Sequence, residues 1–296
     1  MYLEAVIVCV NYSDFLAHTL PENRTMFDNM VVVTSLNDLD TVRICNKYNV
    51  RCIQTDAFYQ NKEVFNKGAG INVGLKALNR TGWVLHLDAD IYLPPLTRHV
   101  LRKECLQPNK IYSADRLMCP DYESWAQYRR SWRSVHEDWS FTHLDLFRAG
   151  SRIVQYGEYL DEGTPDGWVP IGYFQLWNPN GSGIHTYPAN HGAADRSDVL
   201  HAKQWTRANR VLIPEVVVIH LESEECTMGA NWRGRRTMWF GPAPQLPQIK
   251  EAEVPPEESC THFTPCPLPP TVPRRCPELW WPLRGIVRWL LRLPRY

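Results

Sequence analysis

Gly82-Trp83-Val84-Leu85-His86-Leu87-Asp88-Ala89-Asp90-Ile91-Tyr92-Leu93-Pro94 is the stretch that decides the fold: an apolar run ends abruptly in two carboxylates separated by one alanine. It predicts a strand that delivers acid to a sheet edge. Alternation along an extended backbone sends Asp88 and Asp90 to the same side. The carboxyl ends of strands in an open α/β sheet are where such folds bind ligands. Two acids on a surface turn are ordinarily just solvated, but these are bracketed by apolar residues, where a carboxylate is costly to hold without a purpose. Two close anions repel unless a cation or donors neutralise them, so a divalent metal carrying a phosphorylated ligand is the natural partner.

Upstream, the chain repeats an α/β rhythm. Strands are expected at Ala5–Val10, Met30–Thr34 and Val50–Gln54, with helices at Asp14–Asn29 and Asp40–Tyr48 between them. Lys67–Leu78 carries Ile71, Leu75 and Leu78 at helical spacing and precedes the strand that ends at Asp88. Strands alternating with helices imply a parallel sheet with right-handed crossovers.

Downstream, Ile111–Ala114 reads as a strand and Tyr122–Phe147 as a long helix, on which Trp125, Tyr128, Trp132, Val135 and Trp139 form one stripe. Such a stripe is either a core face or a ligand platform, while Arg129, Arg130 and Arg133 lie off it as a solvated face. A turn-rich block from Gly157 to Asn190 contains a short strand, Ile171–Trp177, and Arg210–His220 is a strand that again ends on a ligand-type residue.

With 296 residues and 44% apolar content, the chain can bury a large core, and its zero formal charge removes any global attraction to nucleic acid or membranes. Nine scattered cysteines do not resemble a disulfide framework, and no charged-then-apolar leader opens the chain, so a reducing, cytoplasmic setting is expected. The organisation read here is 1–100 as one half of a domain, 101–240 as its other half, and 241–296 as a Pro-rich linker with an amphipathic end. Most of the 23 prolines crowd into this last part. Its Trp- and Arg-rich terminus, Glu278–Tyr296, would suit a membrane surface, a protein partner or the chain's own domain. Cys260, His262, Cys266 and Cys276 match no standard zinc knuckle.

Four stretches together resemble the GT-A glycosyltransferases of the Asp-x-Asp type, inverting family-2-like and phage or bacterial enzymes among them. These are Val10-Asn11-Tyr12, Val32 to Thr41 around Asp38, Asn66-Lys67-Gly68-Ala69-Gly70-Ile71-Asn72, and His86-Leu87-Asp88-Ala89-Asp90, and the resemblance covers roughly Ala5 to Phe240. It implies a GT-A (Rossmann-like) fold, a mixed, mainly parallel sheet flanked by helices. It also implies a hexosyltransferase using a nucleoside-diphosphate sugar, UDP-sugar first, with Mn2+ or Mg2+.

Carried over residue by residue, the resemblance gives Tyr12 and Asp38 to the nucleobase, Asp88 to the ribose or a metal-bound water, and Asp90 to the metal as direct ligand. The motif Val218-Ile219-His220-Leu221-Glu222 resembles a late strand whose histidine completes the metal shell; imidazole beside oxygen ligands suits manganese. Lys67, opening a helix after an asparagine, either adds a cation to the diphosphate or is an exposed helix-start lysine. Asp195 is the candidate base for an inverting transfer, or else a helix cap. Arg233, in a glycine-hinged loop, would close over the diphosphate.

The acceptor is open: a glycan, a small molecule, or a hydroxymethylated DNA base. Tyr156, Trp168, Tyr173, Phe174, Gln175 and Trp177 are candidates to stack on it. A catalytically inert nucleotide-sugar-binding module is the non-enzymatic alternative.

Overall fold

The computed structural model describes residues 1–134, 158–159, 168–190, 194, 196–221 and 239–242, which lie within one compact unit, Met1–Ile249. The order is β1 (Leu3–Val8), α1 (Ser13–Asn23), β2 (Asn29–Ser35), α2 (Leu39–Lys47), β3 (Arg51–Thr55), α3 (Lys67–Lys76), β4 (Trp83–Asp88) and β5 (Ile91–Tyr92). It continues with α4 (Thr97–Lys103), β6 (Ile111–Cys119), α5 (Tyr122–Ser134), β7 (Glu158–Tyr159), β8 (Trp168–Val169), β9 (Phe174–Trp177), α6 (Pro179–Ser182), α7 (Ser197–Ala202) and β10 (Arg210–Leu221).

Among the described residues the main sheet has the order β3-β2-β1-β4-β9-β6-β10-β5. β1 pairs in parallel with β2 and β4, and β2 with β3. β9 runs antiparallel between β4 and β6, β6 and β10 are parallel, and β5 closes the edge antiparallel to β10. This is the mixed, mainly parallel, helix-flanked sheet of the GT-A (Rossmann-like) kind that the sequence implies. The sheet takes strands from both sides of residue 100. No helix among the described residues is long and apolar enough to cross a membrane.

The period of two along β1 sorts its side chains to the two faces. Leu3, Ala5 and Ile7 pack with Phe15 and Leu16 of α1 and Ile44 of α2, while Val6 and Val8 pack with Ile71 and Leu75 of α3. Burying each such aliphatic side chain contributes roughly 1.5–3 kcal/mol before entropy. Gly74 lets α3 lie close on its face: a Cβ there would stand 2.4 Å from Val6 Cγ2, so the ~1 kcal/mol cost of a helical glycine is offset by contact.

Two expectations need correction. β6 does not end at Ala114 but runs to Cys119, with Asp115 and Arg116 both buried. Arg129 is not on a solvated face: it pairs with Glu22, donates to Tyr92 Oη at 3.1 Å and lies over the Tyr92 and Trp125 rings. Trp125 and Tyr128 are buried core residues against Tyr92. The stripe beyond them (Trp132, Val135, Trp139), Arg133 and the tail with Cys260, His262, Cys266 and Cys276 fall outside the described side chains.

Candidate functional site

The chain leaves β1 to build β2 and β3 on one side, then returns through α3 to place β4 on the other. The carboxyl ends of β1 and β4 therefore flank a topological switch point. Val8 and Asp88 are register partners there.

The backbone after Asp88 is held from below by α1. Buried Thr19 donates to Ala89 O at 2.7 Å, and buried Asn23 donates to Ile91 O at 2.7 Å and accepts from Leu93 N at 2.9 Å. β5 then pairs with β10 in the register His220↔Ile91, and Leu221 N donates to Asp90 O at 2.9 Å. That pairing is why residues 130 positions apart in sequence meet: His220 Nε2 lies 3.3 Å from Asp90 Oδ2.

Asp88 takes another partner. Lys67 Nζ stands 2.5 Å from its Oδ1, reaching from the first turn of α3, which Asn66 caps by accepting from Ala69 N at 2.9 Å. Burial by itself lowers the Lys67 pKa, but Asp88, with Asp198 and Asp90 behind it, outweighs this and raises it. Burial pushes the Asp88 carboxyl up, with Asp90 adding and Lys67 opposing. Asp90 goes the other way: burial raises it, but His220 and Lys67 prevail and hold it below the usual carboxylate range.

Among the described residues, no three His, Cys, Asp or Glu side chains stand together as a metal-ligand set. What the structure brings together is a pair, Asp90 with His220, beside a separate ion pair, Asp88 with Lys67. Asp90 Oδ1 is nonetheless buried with no hydrogen-bond partner. A buried carboxylate oxygen left bare wants a cation, and a divalent ion held by one or two protein groups and completed by phosphate oxygens is a common arrangement. The donor set fits a metal on that basis.

Asp38 is almost fully buried and caps α2. Its Oδ2 accepts from Asn11 N at 2.8 Å, Thr34 Oγ1 at 2.8 Å and Thr41 Oγ1 at 2.7 Å, and its Oδ1 from Thr41 N at 3.2 Å. The carboxylate thereby fixes the Asn11 turn, where φ is 58°. Tyr12 is buried on Phe15, with ring centroids 5.0 Å apart. Tyr12 follows β1 and Asp38 follows β2, and both shape that turn from within.

A polar relay lies behind Asp88, and the sequence gives little sign of it. Gln175, paired across the sheet with His86, donates its amide to Pro170 O at 2.7 Å and Asp198 O at 3.0 Å. Its carbonyl oxygen must then accept from the Tyr187 hydroxyl, which in turn accepts from His86 Nδ1 at 3.2 Å. His86 consequently carries its proton on Nδ1 and turns a bare Nε2 toward Asp88 Oδ1, 3.7 Å away. Burial, with Lys67 and His201 adding, keeps this ring neutral.

Asp198 was also missed as a site residue. It accepts from Gly172 N at 2.6 Å and Val199 N at 2.7 Å, and burial raises its carboxyl despite Lys67. Gly172 is required there, since a Cβ would meet Asp198 Oδ2 at 2.9 Å. The Asp-x-x-Asp spacing with Asp195 was the one available signal.

Tyr173, Phe174, Gln175 and Trp177 are at most 2% exposed, which corrects their reading as a stacking platform: they are core. Asp195, Arg233 and Tyr156, and the side chain of Trp168, lie outside the described residues. Two hollows among the described residues lie elsewhere. One of about 550 Å³ is lined by Arg24, Asn29, Asn49 and Arg51, the other of about 410 Å³ by His18, Tyr48, Trp125 and Arg130.

No known family description matches the chain, and no curated protein matches it. Similar solved structures include mannosyl-3-phosphoglycerate synthase from Rubrobacter xylanophilus, at 18% identity and TM-score 0.33 over 40% of this chain and 41% of that one. Glucosyl-3-phosphoglycerate synthase of Mycobacterium tuberculosis matches at 15% identity and TM-score 0.30 over 39% and 44%. The same enzyme in complex with Mn2+, UDP-glucose and phosphoglyceric acid matches at 11% identity and TM-score 0.42 over 74% and 71%. The chain spans about two fifths of the length of the first two, 41% and 44%.

Proposed function

We propose that the chain is a metal-dependent glycosyltransferase that moves a sugar from a nucleoside-diphosphate sugar to an acceptor hydroxyl. The observation that carries this reading is the bare, buried Asp90 Oδ1 at the carboxyl end of the sheet, beside His220 and next to the neutralised Lys67–Asp88 pair. Asp90, with His220, would hold Mn2+ or Mg2+; the ion, when bound, neutralises the diphosphate and assists its departure.

The chain's own groups supply the rest. Lys67 opposes the burial that raises the Asp88 carboxyl and offers its remaining donors to the diphosphate. Asp38 and Tyr12 shape the turn at Asn11 that frames the nucleobase side. Asp88, fixed by Lys67, is the group proposed for the ribose. Asp195 is proposed as the base that takes the acceptor proton in an inverting transfer, and Arg233 as the cation of a closing loop.

Release of nucleoside diphosphate from a panel of nucleotide sugars, UDP-sugars first, with and without Mn2+, tests the reading. Metal-dependent release is the expected result. Tight nucleotide binding with no turnover of any donor would leave an inert binding module instead.

A further inference from the structure

Arg116 sits in the middle of β6, buried, with its guanidinium 4.5 Å above the Tyr173 ring and its Nη1 3.1 Å from His220 Nδ1. Register explains the meeting, because β6 and β10 are parallel neighbours with Met118 opposite His220. A guanidinium can only donate. His220 Nδ1 must therefore accept, which leaves the ring proton on Nε2, where it faces Asp90 Oδ2 at 3.3 Å. Both nitrogens of His220 are engaged, and the one that faces the acid carries hydrogen. A metal bond from Nε2 needs the opposite tautomer, with the proton on Nδ1 pointing at a group that itself only donates.

We propose that Arg116 is a positioning residue that restrains metal loading at this site by holding His220 in its Nε2–H tautomer. Ligation through Nε2 breaks the Nε2–H bond and forms Nδ1–H, with no net release of a proton, and Arg116 Nη1 must withdraw from the ring as this happens. Metal binding is thus coupled to movement of a side chain on β6, and an incoming anion that draws Arg116 away would strengthen it. The inference rests on the metal reading of Asp90 and His220 given above.

Long-range proton–nitrogen correlation spectra of the metal-free full chain, with His220 assigned by H220Q, read the tautomer directly. The Nε2–H form is expected, and the Nδ1–H form overturns the inference without any need for a variant. Binding of Mn2+ alone and with UDP, followed by the spin-resonance signal of free Mn2+, supplies the second readout. Arg116→Gln, whose amide oxygen can accept from Nδ1–H, and Arg116→Met, which removes the donors, should both bind Mn2+ more tightly, on the order of tenfold. A merely structural arginine would give weaker binding when lost, so unchanged or weakened affinity in both variants overturns the proposal. Asp90→Asn separates the two claims. If wild type binds Mn2+ and Asp90→Asn binds it equally well, the metal reading itself fails, and the proposal with it.

Discussion

Lys67 Nζ and Asp88 Oδ1 stand 2.5 Å apart, bolting the first turn of α3 to the end of β4. The contact spends Asp88's charge on a protein cation and leaves Asp90 as the carboxylate with an oxygen to spare. The two acids of one Asp-x-Asp therefore stand in different surroundings, one paired with a lysine, the other with a buried oxygen lacking a hydrogen-bond partner.

Replacing Lys67 with methionine strands the Asp88 carboxylate. Losing one partner of a buried pair costs roughly 3–5 kcal/mol; with side chains 17% and 27% exposed, solvent screening reduces the expected loss to about 2 kcal/mol. Adding Asp88→Asn should recover much of it. Urea denaturation of the two single variants and the double variant measures the coupling, and strictly additive losses would contradict a functioning pair.

Asp90→Asn should abolish Mn2+-dependent donor cleavage, by more than the roughly 10–100-fold that a supporting outer residue contributes, while the fold stays intact. Turnover near the wild-type rate would remove Asp90 from the ligand role.

Stability should fall with acid below neutrality. Burial holds His201 at about 3, and His86 is likewise far below its usual value, so both are neutral when folded and return to about 6.5 on unfolding. Below about pH 6.5 the unfolded chain binds more protons, so stability is complete above that pH and is lost progressively as pH falls toward about 3. The slope is up to about 1.4 kcal/mol per pH unit for each histidine. Asp88 and Asp198, whose carboxyls are raised by burial, offset part of this at the acid end. Urea midpoints at pH 7, 6 and 5 should decline, and His201→Phe should flatten the trend; a flat wild-type series would show that these rings are not buried neutral.

Gly172→Ala puts a methyl group 2.9 Å from Asp198 Oδ2. Overpacking of this kind costs about 1–3 kcal/mol, and it should also loosen the Gly172 N bond to Asp198. A variant as stable as wild type by thermal unfolding would mean that the β9 and α7 segments separate freely.

The amino-terminal half was legible because each element there carries its own local signal: short continuous apolar runs in β1 and β2, and helical spacing in α3 with an asparagine just before it. Strand boundaries there slid by one or two residues, as at Ala5–Val10 against the observed Leu3–Val8, since pairing partners and not propensity end a strand. The helix expected over Asp14–Asn29, by contrast, ends at Asn23. β9 read as a strand, but its antiparallel place between β4 and β6 has no local cause. The expected strand ends at Ala114 because two charges, Asp115 and Arg116, interrupt the apolar run there. They lie inside β6 because Tyr173 and His220, distant in sequence, receive the guanidinium. Asp90 stood out by its motif, whereas His86 acquires its bare nitrogen only through Tyr187 and Gln175, contributed by later loops and strands.

Four donors converge on the carboxylate of Asp38 and hold Asn11 in a left-handed turn before any ligand arrives. The base-facing wall of the proposed donor site is in this respect preorganised. Discrimination among nucleotides would then reside in a fixed template, with little entropy left to lose there on binding, and induced adjustment would fall to the opposite wall.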